Sequence, residues 1–242
     1  MGIVFERENY PIFNKGNLVK IATSHSLRCD SKQFEQRFDE LNSFLEEEDF
    51  FYLGELLPNP IIKGSQPKYI EGSEGIPVIN TLTIQKMEIN IENCRYISEE
   101  DFYNLSDNRK VKENDVLLTM DGGTSIGKPV LFELNGDYTV DSHVAILRPH
   151  GISPKALVYL LASPAGQLQF QKAESGASGQ TSVTEEDLRR FRFPSKMLDK
   201  IDDIVNALDK KRLQITRIKN RLNKRENKIW EEFTINALKG DY

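Results

Sequence analysis

Residues 201–230 read IDDIVNALDKKRLQITRIKNRLNKRENKIW. Ile201, Leu208, Ile215, Leu222 and Ile229 fall at a strict seven-residue interval. Ile204 and Ile218 supply some of the second seam positions, and Lys211 and Arg225 interrupt it. No Pro or Gly breaks the run, so the pattern predicts one long helix with a narrow apolar stripe, which is buried only against a second helix. Those seven apolar residues, Ile201, Ile204, Leu208, Ile215, Ile218, Leu222 and Ile229, are the candidate dimerisation residues. A terminal helix folded onto its own domain usually runs about 8–20 residues, and this one is longer. Residues 195–242 are therefore read as a helical dimerisation or spacer segment.

Upstream of Pro194 the pattern changes, and residues 1–194 read as one globular domain. Phe34, Phe38, Leu41 and Leu45 recur at helical spacing and end in the acidic run Glu46 to Asp49. Pro58, Pro60, Gly64, Pro67, Gly72 and Gly75 then break any helix. Short strands are expected at Ile76–Asn80, Val116–Met120, Val130–Leu134 and Val144–Leu147, with Asn135-Gly136 as a hairpin turn. Ser153-Pro154 and Ser163-Pro164 place a capping hydroxyl just before a first-turn proline, and Thr184 to Asp187 starts another short helix. The fold class is thus α+β: a mostly β domain with short helices, followed by a long C-terminal coiled-coil helix.

The composition narrows the function. With 38% apolar and 29% charged residues, and no apolar run near the roughly 20 residues that span a bilayer, no membrane partner is expected. Met1 to Arg7 lacks a basic stretch leading into an apolar one, so a cytoplasmic location is expected. Cys29 and Cys94 form no metal or disulfide pattern. A net charge of -5 argues mildly against a polyanionic partner, but base is concentrated at Arg189 to Arg192 and from Lys210 to Lys228.

Motifs that would carry chemistry fail on inspection. Gly122 to Lys128 has the spacing of a phosphate-binding loop, yet Pro129 stands where Ser or Thr would hold magnesium, and a strand follows where a helix is needed. Asn59-Pro60-Ile61-Ile62 lacks the second proline and the aromatic residue of an amino-methyltransferase tetrapeptide. His25, His143 and His150 share no metal-pair spacing, and no catalytic or metal residue is assigned. What remains is a set of polar loops between apolar strands, rich in side chains that contact phosphates and base edges. The candidate DNA-binding residues are Lys63, Gln66 and Lys68; Asn80, Thr81 and Thr83; Thr124, Ser125 and Lys128; and Ser178, Gln180 and Thr181.

The order of several stretches resembles one family. Ser24-His25-Ser26-Leu27-Arg28-Cys29-Asp30, Tyr52 to Leu56, Lys63-Gly64, Gly75 to Ile79, Asp115 to Leu118, Gly122 to Gly127 and His143 to Pro149 occur in sequence. Tyr159 to Gly166, Gly176 to Gln180, Thr184 to Leu188 and Phe193-Pro194 complete the series. Together they resemble type I restriction-modification DNA specificity (S) subunits, in a half-length form with a single target-recognition domain. The resemblance implies a sequence-specific DNA-binding subunit that reads one half of a bipartite site. Its helix would set the spacing of half-sites and dock adenine methyltransferase (M) subunits, with motor or restriction (R) subunits as further partners. S-adenosylmethionine, ATP and magnesium would belong to those partners, this chain holding no cofactor and being no enzyme. Family members usually carry two recognition domains and two helices, where this sequence has one of each; a homodimer or a pair with another specificity subunit would restore the set. Pro194 is followed by Ser195 to Lys200, without the glutamine often found there. Two alternatives stand beside this reading: a specificity subunit of a bifunctional methyltransferase-nuclease, and a helical scaffold or regulator that does not read DNA.

Overall fold

The computed structural model of the chain describes residues 34–47, 49–85, 87–175 and 181–239. His25, Cys29, Ser178 and Gln180 lie outside the described residues. The chain divides into one unit running to Asp199 and a second from Lys200. No helix among the described residues is long and apolar enough to cross a membrane.

Among the described residues the first helix of this unit is α1 (Gln36–Glu46), which buries Phe38, Leu41 and Leu45 on one face, as its spacing predicts. The strands β1 (Phe50–Tyr52), β2 (Ile62–Lys63), β3 (Ile76–Ile79), β4 (Ile84–Gln85), β5 (Glu88–Ile89) and β6 (Arg95–Ile97) follow. After α2 (Glu99–Tyr103) come β7 (Val116–Thr119), β8 (Pro129–Leu131), β9 (Thr139–Val140) and β10 (Val144–Leu147). The unit then runs through α3 (Pro154–Ala162), α4 (Pro164–Ala173), α5 (Glu185–Arg189) and β11 (Arg192–Pro194). Ser153 Oγ accepts from the Ala156 N–H and Ser163 Oγ from the Gly166 N–H, so each serine caps the helix that its following proline opens. Thr184 and Asp187 cap α5 reciprocally.

The central sheet has the order β2-β10-β7-β8, and its neighbours are antiparallel. Every residue of β7 and β10 is buried, as expected of inner strands covered on both faces, and their unbroken apolar runs reflect that. Leu117, Val130, Val144 and Ile146 join Ile79, Ile84, Phe132 and Val140 in one core cluster. A second sheet, β6-β3-β9, pairs β3 with β9 in parallel. This corrects the hairpin expected at Asn135-Gly136. Gly136 does turn the chain, with φ of 109°, but β8 before it pairs with β7 and β9 after it pairs with β3. The two sides of the turn therefore belong to different sheets.

Of the remaining pairings, β4 with β5 is local, Ile84 opposite Ile89, and the other is long-range. β1 pairs with β11, Phe51 opposite Phe193. The buried Gln169 of α4 acts as one more strand edge, accepting from the Arg192 N–H at 2.7 Å and donating to its carbonyl at 3.0 Å. Cys94 packs against the core cluster of Ile79 and Phe132, where burial pushes its thiol up to about 11, far from a reactive thiolate at neutral pH.

The second unit is α6 (Ile201–Lys239), whose 39 residues make a helix about 58 Å long. Ile201 is buried, whereas Ile204, Leu208, Ile215, Ile218, Leu222 and Ile229 are all exposed.

One ion pair fixes the far end of the central strands. Arg148, just after β10, donates from Nε and Nη2 to the two carboxylate oxygens of Asp115, just before β7, at 2.7 and 2.8 Å. Asp115 is buried and also accepts from the Lys112 N–H at 2.8 Å. Asp115→Ala is expected to cost about 2–3 kcal/mol, because it orphans that N–H and a bidentate guanidinium. Thermal unfolding checks this: a melting temperature several degrees below wild type is expected.

Candidate nucleic-acid interface

The opposite end of the same two strands gathers most of the polar residues singled out above. β7 and β10 pair with Val144 opposite Thr119, which puts Met120 opposite His143 and leaves Asp121, the next residue, diagonal to His143 just beyond the strand ends. Asp121 Oδ1 pairs with His143 Nδ1, and Asp121 Oδ2 lies 3.2 Å from Lys63 Nζ on the neighbouring β2. One carboxylate thus holds two potential cations, each about half exposed. Directly before His143, Ser142 Oγ donates to Gln66 Oε1 at 3.1 Å, and Asp141 Oδ1 accepts from the His143 N–H at 2.9 Å. Burial raises the Asp141 carboxyl above the ordinary carboxylate range, against the lowering pull of that N–H.

Gly64 makes this assembly possible. A Cβ placed on it would lie 2.0 Å from the Asp141 carbonyl oxygen and 2.3 Å from that of Val140. Only a residue without a side chain lets β2 run this close to the backbone between β9 and β10, and the Gly64 N–H is used by the Val144 carbonyl at 3.2 Å.

The turn between β7 and β8 forms the next part of the surface. Gly122, Gly123 and Gly127 adopt φ of 103°, 59° and 76°, which glycine tolerates and other residues resist. The buried Thr119 ties the turn together from inside: its hydroxyl donates to the Ser125 carbonyl and accepts from the Lys128 N–H at 2.9 Å. Thr124 is exposed at the tip, and Lys128 Nζ lies 3.5 Å from Ser125 Oγ. The strand that follows, antiparallel to β7, leaves no helix N-terminus for a nucleotide phosphate.

Thr181 joins this turn, its carbonyl accepting from the Gly122 N–H at 3.2 Å, while its hydroxyl donates to Glu174 at 2.5 Å. Ser175 and Ser182 exchange backbone hydrogen bonds at 3.0 and 2.8 Å, and Asp121 bridges to Ser182, so the base of the Gly/Ser-rich loop is anchored beside Asp121. Ser178 and Gln180 of that loop lie outside the described residues. Thr81 also reaches this region, its Cγ2 lying 3.7 Å from where a Gly122 Cβ would be.

The remaining candidates sit elsewhere. Asn80 and Thr83 are buried and hold one turn: Asn80 Oδ1 accepts from the Leu82 and Thr83 N–H groups, the Thr83 hydroxyl donates to the Asn80 carbonyl at 2.7 Å, and Asn80 Nδ2 donates to the Asn93 carbonyl at 3.4 Å. Lys68 is exposed, next to Tyr69, over whose ring the Arg95 guanidinium stacks at 3.5 Å. Asp121, Ser142 and His143 were not among the sequence candidates. The signal that brings them near is register: once Val116–Met120 and Val144–Leu147 are taken as antiparallel neighbours, Asp121 falls opposite Ser142 and one position from His143.

A model of the type I restriction modification DNA specificity domain matches residues 46–225. No curated protein matches. A solved chain from work on complex assembly and conformational transition of the type I R-M system superposes with a TM-score of 0.50 at 18% identity, covering 74% of this chain and 45% of that one. The HsdS subunit from Thermoanaerobacter tengcongensis gives 0.49 at 18% identity, over 76% and 45% of the two chains. The type I S subunit from M. genitalium gives 0.44 at 15% identity, over 66% and 38%. The chain spans less than half the length of these solved relatives.

Gly64→Ala is expected to cost about 2–3 kcal/mol, since backbone carbonyls rather than a yielding side chain meet the new methyl. The measurement is paired: thermal unfolding, and the NMR signals of the His143 ring, which shift as β2 and Lys63 are pushed off Asp121.

Proposed function

The chain belongs to the type I restriction modification DNA specificity domain family, and on that footing we propose that it is a non-catalytic DNA specificity subunit whose loops at the Asp121–His143 end of the central sheet read DNA. The observation that carries this reading is convergence. Loops from four separate parts of the sequence, bearing Lys63 and Gln66, the Gly122 to Lys128 turn, His143, and Thr181, meet at one end of one sheet. A rigid scaffold presenting polar loops, rather than a cavity with an activated nucleophile, suits recognition of an extended ligand. Lysines supply phosphate contacts, and Gln, Ser and Thr supply donors and acceptors for base edges.

In this reading the chain recognises one half of a bipartite site and docks adenine methyltransferase subunits, which bring S-adenosylmethionine. Motor and restriction subunits bring ATP and magnesium. The apolar stripe of α6 pairs with a second copy or with another specificity subunit. A two-fold homodimer presents two identical reading heads and so requires a palindromic split site. The exposure of Leu208, Ile215 and Leu222 on a helix without Pro or Gly supports that pairing.

Two experiments test the proposal. Charge reversal, Lys63→Glu with Lys68→Glu, is expected to weaken binding of the cognate duplex at least 10-fold and to flatten its salt dependence by roughly two phosphate contacts. Duplex titrations at several salt concentrations measure both, and unchanged affinity would refute the assignment of these loops. Ile215→Asp with Leu222→Asp is expected to convert a dimer to a monomer in sedimentation; a wild-type chain that is already monomeric at micromolar concentration would refute the pairing.

A further inference from the structure

The charge of the chain is divided unevenly between its two units. Residues up to Asp199 carry 21 Lys and Arg against 30 Asp and Glu, whereas those from Lys200 on carry 11 against 7. A protein that binds a polyanion gathers its affinity where its cations are. Here the positive excess lies on α6.

Those cations are arranged as well as concentrated. At 100° per residue, Lys210, Arg217, Arg221, Lys224 and Lys228 fall within an arc of about 60°, on the side roughly opposite Leu208, Ile215, Leu222 and Ile229. From Asn206 to Lys228 this arc holds no acidic and no apolar residue. All five cations are exposed, and among the described residues the one ion pair they make is Lys228 with Glu232 at 3.7 Å. Arg217 and Arg221, and Lys224 and Lys228, are like charges one turn apart, an arrangement that weakens a helix in isolation. The strip from Lys210 to Lys228 is about 27 Å long, matching on the order of eight phosphates along one DNA strand.

The apolar side suits a partner helix; the basic side lacks the apolar anchors on which a protein interface core is built. We propose that this arc is a second DNA-binding surface, which holds the phosphate backbone of double-stranded DNA without regard to sequence. The assignment rests on the DNA-reading function proposed above. It divides the work: loops on the first unit select bases, and α6 supplies affinity common to all sequences.

The test uses the full chain with Lys210→Gln, Arg217→Gln, Arg221→Gln and Lys224→Gln combined. Neutral, exposed glutamines keep the helix, which circular dichroism verifies. Affinity for a duplex is measured from 50 to 200 mM salt. Four lost phosphate contacts flatten the logarithmic salt slope by about 3.6, so wild type loses about 100-fold more affinity than the variant over that range, while the ranking of duplex sequences is unchanged. An unchanged slope overturns the proposal, as does an unchanged slope with lost copurification of a methyltransferase subunit, which makes the arc a protein-docking strip. In either case, weakening by Lys63→Glu with Lys68→Glu in the same titration leaves the DNA-reading function standing. A wild-type chain with no measurable affinity for any duplex overturns both.

Discussion

The fold turns on the register of two strands, β7 and β10. At one end Asp115 and Arg148 close the pair with a bidentate ion pair, and at the other Asp121 and His143 do the same with a carboxylate and an imidazole. A slip by one residue would take Asp115 and Arg148 out of register and turn the side chains of the slipped strand to the opposite face. The two ends differ in consequence. Asp115 is buried and fully engaged, so its end is structural. The Asp121 end is partly open, shares its carboxylate with Lys63, and is ringed by loops.

In the proposed function, an acidic chain presents a binding surface to DNA, and the strand ends show how it could do so. Local arrangement outweighs total charge at distances near or below the Debye length of roughly 8–10 Å. Asp121 does not simply cancel Lys63; it fixes the position of Lys63 and His143 while leaving each about half exposed. Preorganised polar groups of this kind suit base and phosphate recognition, where the cost of ordering a long side chain otherwise comes out of affinity.

Much of this was legible in the sequence, and the exceptions have physical causes. The helix of Phe38, Leu41 and Leu45, the serine and threonine caps, the apolar strands Val116–Thr119 and Val144–Leu147, and the long C-terminal helix all rest on local periodicity or local hydrogen bonds. Strands such as β1, β2, β9 and β11 are two or three residues long and carry no period; they exist because of distant partners such as Val144 for Gly64 and Gln169 for Arg192. The polar loop residues Lys63, Gln66, Ser125, Lys128 and Thr181 were visible by type and position. Asn80 and Thr83 were visible too, but Asn followed three residues later by Thr also makes a self-satisfied turn, and that is what they form. Asp121 and His143 looked solitary because their partnership exists only through strand pairing.

The central claim is that loops held at the Asp121–His143 end of the sheet distinguish one DNA sequence from another. The most direct measurement is selection from a random duplex library by the purified full chain, with sequencing of the retained fraction. The account predicts enrichment of a defined set of bases, lost on Lys63→Glu with Gln66→Ala while residual sequence-independent binding persists. Retention of duplexes without any enriched bases in the wild type would contradict it.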